Sequence, residues 1–251
     1  KFIDNHEANI DFPETVPETE DPDNLIVNGG FENEVTPSGV EVTFNYVEYL
    51  SFVNCQGFFD EWSRTTSPSL SQAAAVANNV WFERGTTQSQ CRTQLDHLKS
   101  RTGTKSAFLW NIGGSTSNAT TTSTGWYYHN LAQRVSLDDS KKFQFSFHAL
   151  KENITVHSNE NHLKDIYVGI VSSTDALPQT NHTFWEKITL PDNEDWNEIS
   201  VVFDLPAIIE DNPGKSFKSC TIFIAIRTEW DGIKTLHSKV NIDDVRLVEI
   251  K

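Results

Sequence analysis

The sequence contains no methionine and only three cysteines, Cys55, Cys91 and Cys220, in 251 residues. So few cysteines, with no CxxC spacing, form neither a disulfide framework nor a zinc site. Cys220 opens an apolar alternation and reads as a buried free thiol. Cys55 and Cys91 lie in less regular stretches, where a bridge between them stays open. Nothing in the sequence accounts for the missing methionine. No apolar run approaches the roughly 20 residues that a membrane-spanning helix needs. Positive charge is also scarce. Lys and Arg number 20 against 35 Asp and Glu, a net charge of −15, which argues against a nucleic-acid backbone or an anionic membrane surface as partner. The common catalytic signatures are missing as well: there is no HExxH, no GxSxG, no P-loop and no GxGxxG between a strand and a helix. The eight histidines are scattered, none at helical metal spacing.

Much of the negative charge is local. Residues 1–23 carry eight acids against Lys1, with Pro13, Pro17 and Pro22 and little to bury, the composition of an extended linker. The chain starts at Lys1 and reads as a mature or trimmed chain. An acidic, proline-containing lead of this kind suits the spacer between a surface lipoprotein and its anchor; an ordinary disordered terminus is the alternative.

From residue 24 to residue 251 the sequence reads as one β domain. Leu25, Ile26 and Val27 suit a strand, Asn28-Gly29-Gly30 a tight bend, and Phe31 a return to the core, with Glu32 beside the bend. Aromatic and β-branched residues over 40–59 suggest a strand and loop. A short helix is expected over 94–99. Strands then follow at short intervals, the pattern of a sandwich or barrel. Phe143, Phe145 and Phe147 alternate, as do Ile166, Val168 and Ile170, then Ile222, Ile224 and Ile226. These are the inward residues of antiparallel strands with one wet face. Trp196, just before a strand at 198–205, is expected to plug one end of the core.

The same alternation turns Tyr128, Asn130, His148, Tyr167, Phe223 and Arg227 outward, and Glu229 extends the Arg227 row. Rings beside planar hydrogen-bonding groups are what a sugar needs, since it presents an apolar C–H face and a hydroxyl edge. Gly169 beside Tyr167 would leave room for a close approach to the sheet. The direction of Trp230 is open. Adjacent acids such as Asp243 and Asp244 should point to opposite faces of a strand, which disqualifies them as a catalytic pair.

The opening Asn-Leu-Ile-Val-Asn-Gly-Gly-Phe-Glu of residues 24–32 and the closing Ile-Asp-Asp-Val-Arg-Leu of residues 242–247 resemble the carbohydrate-binding modules of the family 4/9 type. The resemblance spans residues 24–251, longer than the usual module. It implies an all-β, antiparallel jelly-roll sandwich of the galactose-binding-like class. It also implies one structural Ca²⁺ held by the glutamate of the Phe-Glu pair, Glu32, and by an aspartate near the C-terminus, Asp243. A carbonyl near Gly30 would be a third oxygen toward the six to eight that Ca²⁺ takes. The alternative is that Glu32 and Asp243 only hydrogen-bond turn amides. The leading expectation is non-catalytic binding of an oligo- or polysaccharide by an extracellular or surface module. The rivals are a lyase or hydrolase on a jelly roll, and an adhesin-type interaction sandwich. The glycan and the oligomeric state are not legible.

Overall fold

A computed structural model describes residues 21–32, 62–63, 81–85, 91–96, 98–113, 126–151, 163–172, 184–229 and 236–251. The strand and loop expected over 40–59, the serine- and threonine-rich loop before Gly125, Trp230 and Cys55 lie outside the described residues, as do the side chains of Trp62 and Cys91.

Two sheets face each other. Among the described residues the front sheet has six strands, in the order β1 (Trp62–Ser63), β2 (Trp81–Gly85), β5 (Trp126–Val135), β10 (Cys220–Glu229), β7 (Asp165–Ser172) and β8 (Phe184–Thr189). The back sheet has five described strands, in the order β3 (Cys91–Asp96), β4 (Ser106–Gly113), β11 (Leu236–Ile250), β6 (Lys142–Lys151) and β9 (Trp196–Asp204). All described pairings are antiparallel except the two-residue contact of β1 with β2, which is parallel. The chain thus has the jelly-roll-like β-sandwich expected of it. Alternation is the reason: Phe143, Phe145 and Phe147 from the back sheet meet Ile166, Val168, Ile170, Ile222, Ile224 and Ile226 from the front in one core. At about 25 cal/mol per Å² of apolar surface, rings and branched chains at every second residue are what hold two sheets together. Cys220 is buried in that core, and burial pushes its thiol up.

Two expectations over 94–99 and 198–205 need correction. Residues 91–96 form a strand, not a helix start, because they pair along β4 from Asp96–Ser106 to Cys91–Asn111. The strand after Trp196 runs straight into a helix, α1 (Leu205–Asp211). Asp204 caps it by accepting from the Ala207 amide at 3.4 Å, and Pro206 sits in its first turn, where a missing N–H costs nothing. Leu205 and Ile208 are buried in the core.

Residues 24–31 are a turn, not a strand, and they lie along β11. The Leu25 amide donates to Leu247 O at 2.8 Å, and the Val245 amide to Gly29 O at 3.0 Å. The buried Gln133 side chain grips Val27 from below, accepting from its N at 3.0 Å and donating to its O at 2.9 Å. The bend reaches positive φ at Asn28 and Phe31, not at the glycines. Gly29 is needed for a different reason: a Cβ there would lie 2.1 Å from Val245 O. Before this turn, the Asp21 carboxylate pairs with Arg246 on β11.

Candidate functional site

Register places most of the expected face together. On β10, Arg227 stands opposite Tyr128, Ala225 is flanked by Asn130 and Tyr167, and Phe223 by Ala132 and Gly169; Glu229 stands opposite Trp126. Directly paired residues share a face. Tyr128, Asn130, Tyr167, Phe223, Arg227 and Glu229 therefore all occupy positions on the side of the front sheet turned away from the core. The side chains of Tyr128, Arg227 and Glu229 lie outside what the structure describes.

That face is not the open trough the sequence suggests. Tyr167 and Phe223 are only 6% and 1% exposed, and with Ala132, Val171 and Ala225 they form a second, small apolar cluster. Asn130 is buried too. The space above Gly169 is filled by the Phe223 ring, whose tip would lie 2.4 Å from an added Cβ. The strands have the expected phase but not the expected exposure, because alternation reports which way a side chain points and not what covers it.

The exposed part of the face is its edge. Trp185 on β8 stands opposite Gly169 and is 44% exposed, with its ring centroid 5.3 Å from that of Tyr167 at a tilt of 44°. Beside it, Lys187 stands opposite Tyr167 and ion-pairs with Asp165 at 2.9 Å; Asp165 also accepts from the Thr189 hydroxyl at 2.7 Å. Trp185 is not among the residues that the sequence reading turns outward. The signal was there: Phe184 and Ile188 pack on the core, which turns Trp185, Lys187 and Thr189 outward by the same alternation.

His148 belongs elsewhere. It lies on β6, in the back sheet, opposite Asp243 and Glu198. It is therefore on the other side of the sandwich from Tyr167 and Phe223 and does not join their site. Partial burial, then the nearby Arg101, hold its imidazole below the usual value, against the opposing pull of Asp244 and Glu198.

The two expected metal carboxylates converge on one loop, residues 100–105, between β3 and β4. Glu32 Oε1 accepts from the Thr104 and Lys105 amides at 2.6 and 2.9 Å, and Oε2 from the Thr104 hydroxyl at 2.8 Å. The Lys105 ammonium donates to Glu32 O at 2.7 Å. Gly103, at φ +60°, allows this approach, since a Cβ would lie 2.1 Å from Glu32 Oε1. At the other end of the loop, Asp243 Oδ2 accepts from the Arg101 and Thr102 amides at 2.7 and 3.3 Å, and Oδ1 from the Asp244 amide at 2.8 Å. Burial, then the charge of Asp244, push the Asp243 carboxyl up to about 8, against those amides. Asp244 does not face away from this loop, as strict alternation requires. The register shifts between Asp243 and Arg246, and Asp244 takes φ 51°. That bulge re-aims its carboxylate, which binds the Arg101 guanidinium at 2.6 Å and the Thr102 hydroxyl.

A cation has a partial fit here. Each carboxylate already accepts three hydrogen bonds, leaving little lone-pair capacity. Among the described residues no group of three His, Cys, Asp or Glu side chains converges as a metal cage. Gly29 O, beside Gly30, is taken by Val245. In favour stands Asp243 itself, a buried acid next to another acid, in a place where positive charge would be stabilising.

No protein-family model and no curated protein matches the chain. Solved structures with a similar stacking of strands include a family 11 carbohydrate-binding module from Clostridium thermocellum in complex with a β-1,3-1,4-mixed-linked tetrasaccharide. It has 11% identity and a TM-score of 0.41, over 67% of this chain and 88% of that one. A family 61 module in complex with β-1,4-galactotriose has 11% identity and a TM-score of 0.39, over 74% of this chain and 97% of that one. The enzymatically active domain of bacteriophage CBA120 tailspike protein 4 has 13% identity and a TM-score of 0.40, over 68% of this chain but only 19% of its own length. Each is a likeness in the arrangement of strands; what this chain binds rests on its own residues.

Proposed function

We propose that the protein is a non-catalytic glycan-binding module that takes an oligo- or polysaccharide along the outer face of the front sheet. The observation that carries this is the Trp185–Tyr167 ring pair, with one ring exposed and the other buried beneath it. An exposed indole fixed by a second ring is a rigid platform for the C–H face of a sugar. Lys187, Asp165 and Thr189 beside it offer donors and acceptors for hydroxyls. Tyr128, Arg227 and Glu229 hold positions farther along the same face and would extend the row, while Asn130 is buried beneath it. No helix among the described residues is long and apolar enough to cross a membrane, and the −15 net charge disfavours nucleic acid. An extracellular or cell-surface setting, with residues 1–23 as a spacer, suits this reading.

The test is a glycan array followed by calorimetry on the binding hits. Trp185→Ala should abolish binding while stability stays within about 1 kcal/mol, as for exposed side chains. Tyr167→Ala should weaken binding and also cost about 2–4 kcal/mol, since that ring is buried. Unchanged affinity in Trp185→Ala would remove this site.

A further inference from the structure

The back sheet carries a cavity of its own, about 390 Å³, on the side away from the front sheet. Its size falls within the range of small-molecule sites. The floor is Leu150 and Trp196, directly opposite one another on β6 and β9. The sequence suggested Trp196 as a core plug. Instead its ring is half-buried and lines this cavity.

Both walls are held rigidly. On one side, the buried Asp96 carboxylate accepts from the Leu98 and Lys99 amides at 2.8 and 3.2 Å, and from Asn241 at 2.8 Å. The Ser106 hydroxyl donates to Lys99 O at 2.5 Å. This buried network holds Leu98 at the rim with 58% of its surface exposed. On the other side, Asn193 Oδ1 accepts from Asn197 Nδ2 at 2.8 Å and from the Asp195 amide at 3.3 Å, which fixes the turn bearing Glu194. The Lys151 stem lies in the wall, only 12% exposed, with its ammonium on Asp192 at 2.7 Å.

We infer that this cavity is a second saccharide site, separate from the front face, that takes the end of a neutral oligosaccharide with one ring stacked on Trp196. An indole and an exposed leucine offer an apolar floor and lip for sugar C–H groups. Ser100, Lys151 and Glu194 supply hydroxyl, ammonium and carboxylate at the rim. The ligand is neutral because the charges in and beside the lining balance in sign: Lys99 and Lys151 against Glu194 and against Asp192, which lies outside the lining and pairs with Lys151. The site shares its ligand class with the front face but none of its residues, so each can fail alone.

The experiment is a titration of the ¹⁵N-labelled protein, followed by the tryptophan indole N–H signals. One set of ligands is neutral: β-linked gluco-, manno-, xylo- and galacto-oligosaccharides. The other set contains uronate and sulfated oligomers. A neutral oligomer should shift the Trp196 signal to saturation. Followed through the backbone amide signals of Lys99, Ser100 and Lys151, Trp196→Ala and Leu98→Ser should each weaken that binding by about tenfold or more, with any shift of the Trp185 signal unchanged. Leu98→Ser keeps the test valid if Trp196→Ala fails to fold, since Leu98 is exposed. The inference is overturned if no neutral oligomer moves the Trp196 signal, if only the anionic set does, or if Leu98→Ser leaves the affinity unchanged.

Discussion

Replacing Gly29 by alanine tests how the first turn is fastened to the last strand. The new methyl would start 2.1 Å from Val245 O, against an ordinary contact of 3.4 Å or more, so the turn or β11 must move by about 1.3 Å. Both are backbone, and neither yields freely. The movement would break the Val245–Gly29 hydrogen bond and strain the Leu25–Leu247 bond and the Gln133 grip on Val27. Each is worth about 0.5–1.5 kcal/mol net. It would also lift Ile26 and Phe31, 4% and 0% exposed, partly out of the core. The expected cost is about 2–4 kcal/mol, read by calorimetry as a fall in Tm of roughly 5–15 °C for a chain of this length. Gly214→Ala is the control. Its φ of +88° disfavours a side chain, but nothing lies within 4 Å of the new methyl. It should lower Tm by only a few degrees, from backbone strain of about 1 kcal/mol. If Gly29→Ala melts no lower than Gly214→Ala, the close approach to Val245 does not hold the turn.

Two further outcomes concern the loop over residues 100–105. Asp243 is raised from the ordinary 3.8 to about 8, so between those pH values the folded protein keeps a proton that the unfolded chain has released. Stability must then fall as pH rises through that window. With chelator present, wild type should lose Tm relative to Asp243→Asn between about pH 4 and pH 8, and a constant difference would contradict this. If Glu32 and Asp243 hold calcium, the ion adds about 2.7 kcal/mol at a hundredfold excess over its Kd. Chelator would then lower the Tm of the wild type but not of Glu32→Ala; an unchanged melting curve with no metal by elemental analysis would remove the ion.

The sandwich was legible because its signal is local and repeated. Phe143, Phe145 and Phe147, or Ile222, Ile224 and Ile226, need only their own strand to declare a face. The helix at Leu205–Asp211 was legible in principle, from Asp204 as cap and Pro206 behind it, but the apolar run through Leu205 masked it. Arg92, Thr93 and Gln94 in β3 carry no apolar alternation, so only pairing with β4 makes them a strand. The site was legible as a phase and no further. Tyr167 and Phe223 point as expected, and their burial depends on what lies above them. The shared target of Asp243 and Asp244 depends on a bulge, which shifts register by a residue without a mark in the sequence. Trp196 illustrates the reverse case: a tryptophan before a strand suits a core equally well, and only the neighbouring turn and loop show it lining a surface cavity.

The position of β11 also sets a schedule. It is the last of the described strands in sequence, yet it is the middle strand of the back sheet, with β4 on one side and β6 on the other. Until residues 236–250 have left the ribosome, β3 and β4 have no hydrogen-bonded connection to β6 and β9 within that sheet. The turn at residues 24–31 lacks its backbone partners until then, since Val245 and Leu247 are more than 200 residues away. Nascent chains would therefore expose the β11-facing edges of β4 and β6 from the time each strand emerges until residues 236–250 do, and folding would be governed by a late, long-range closure.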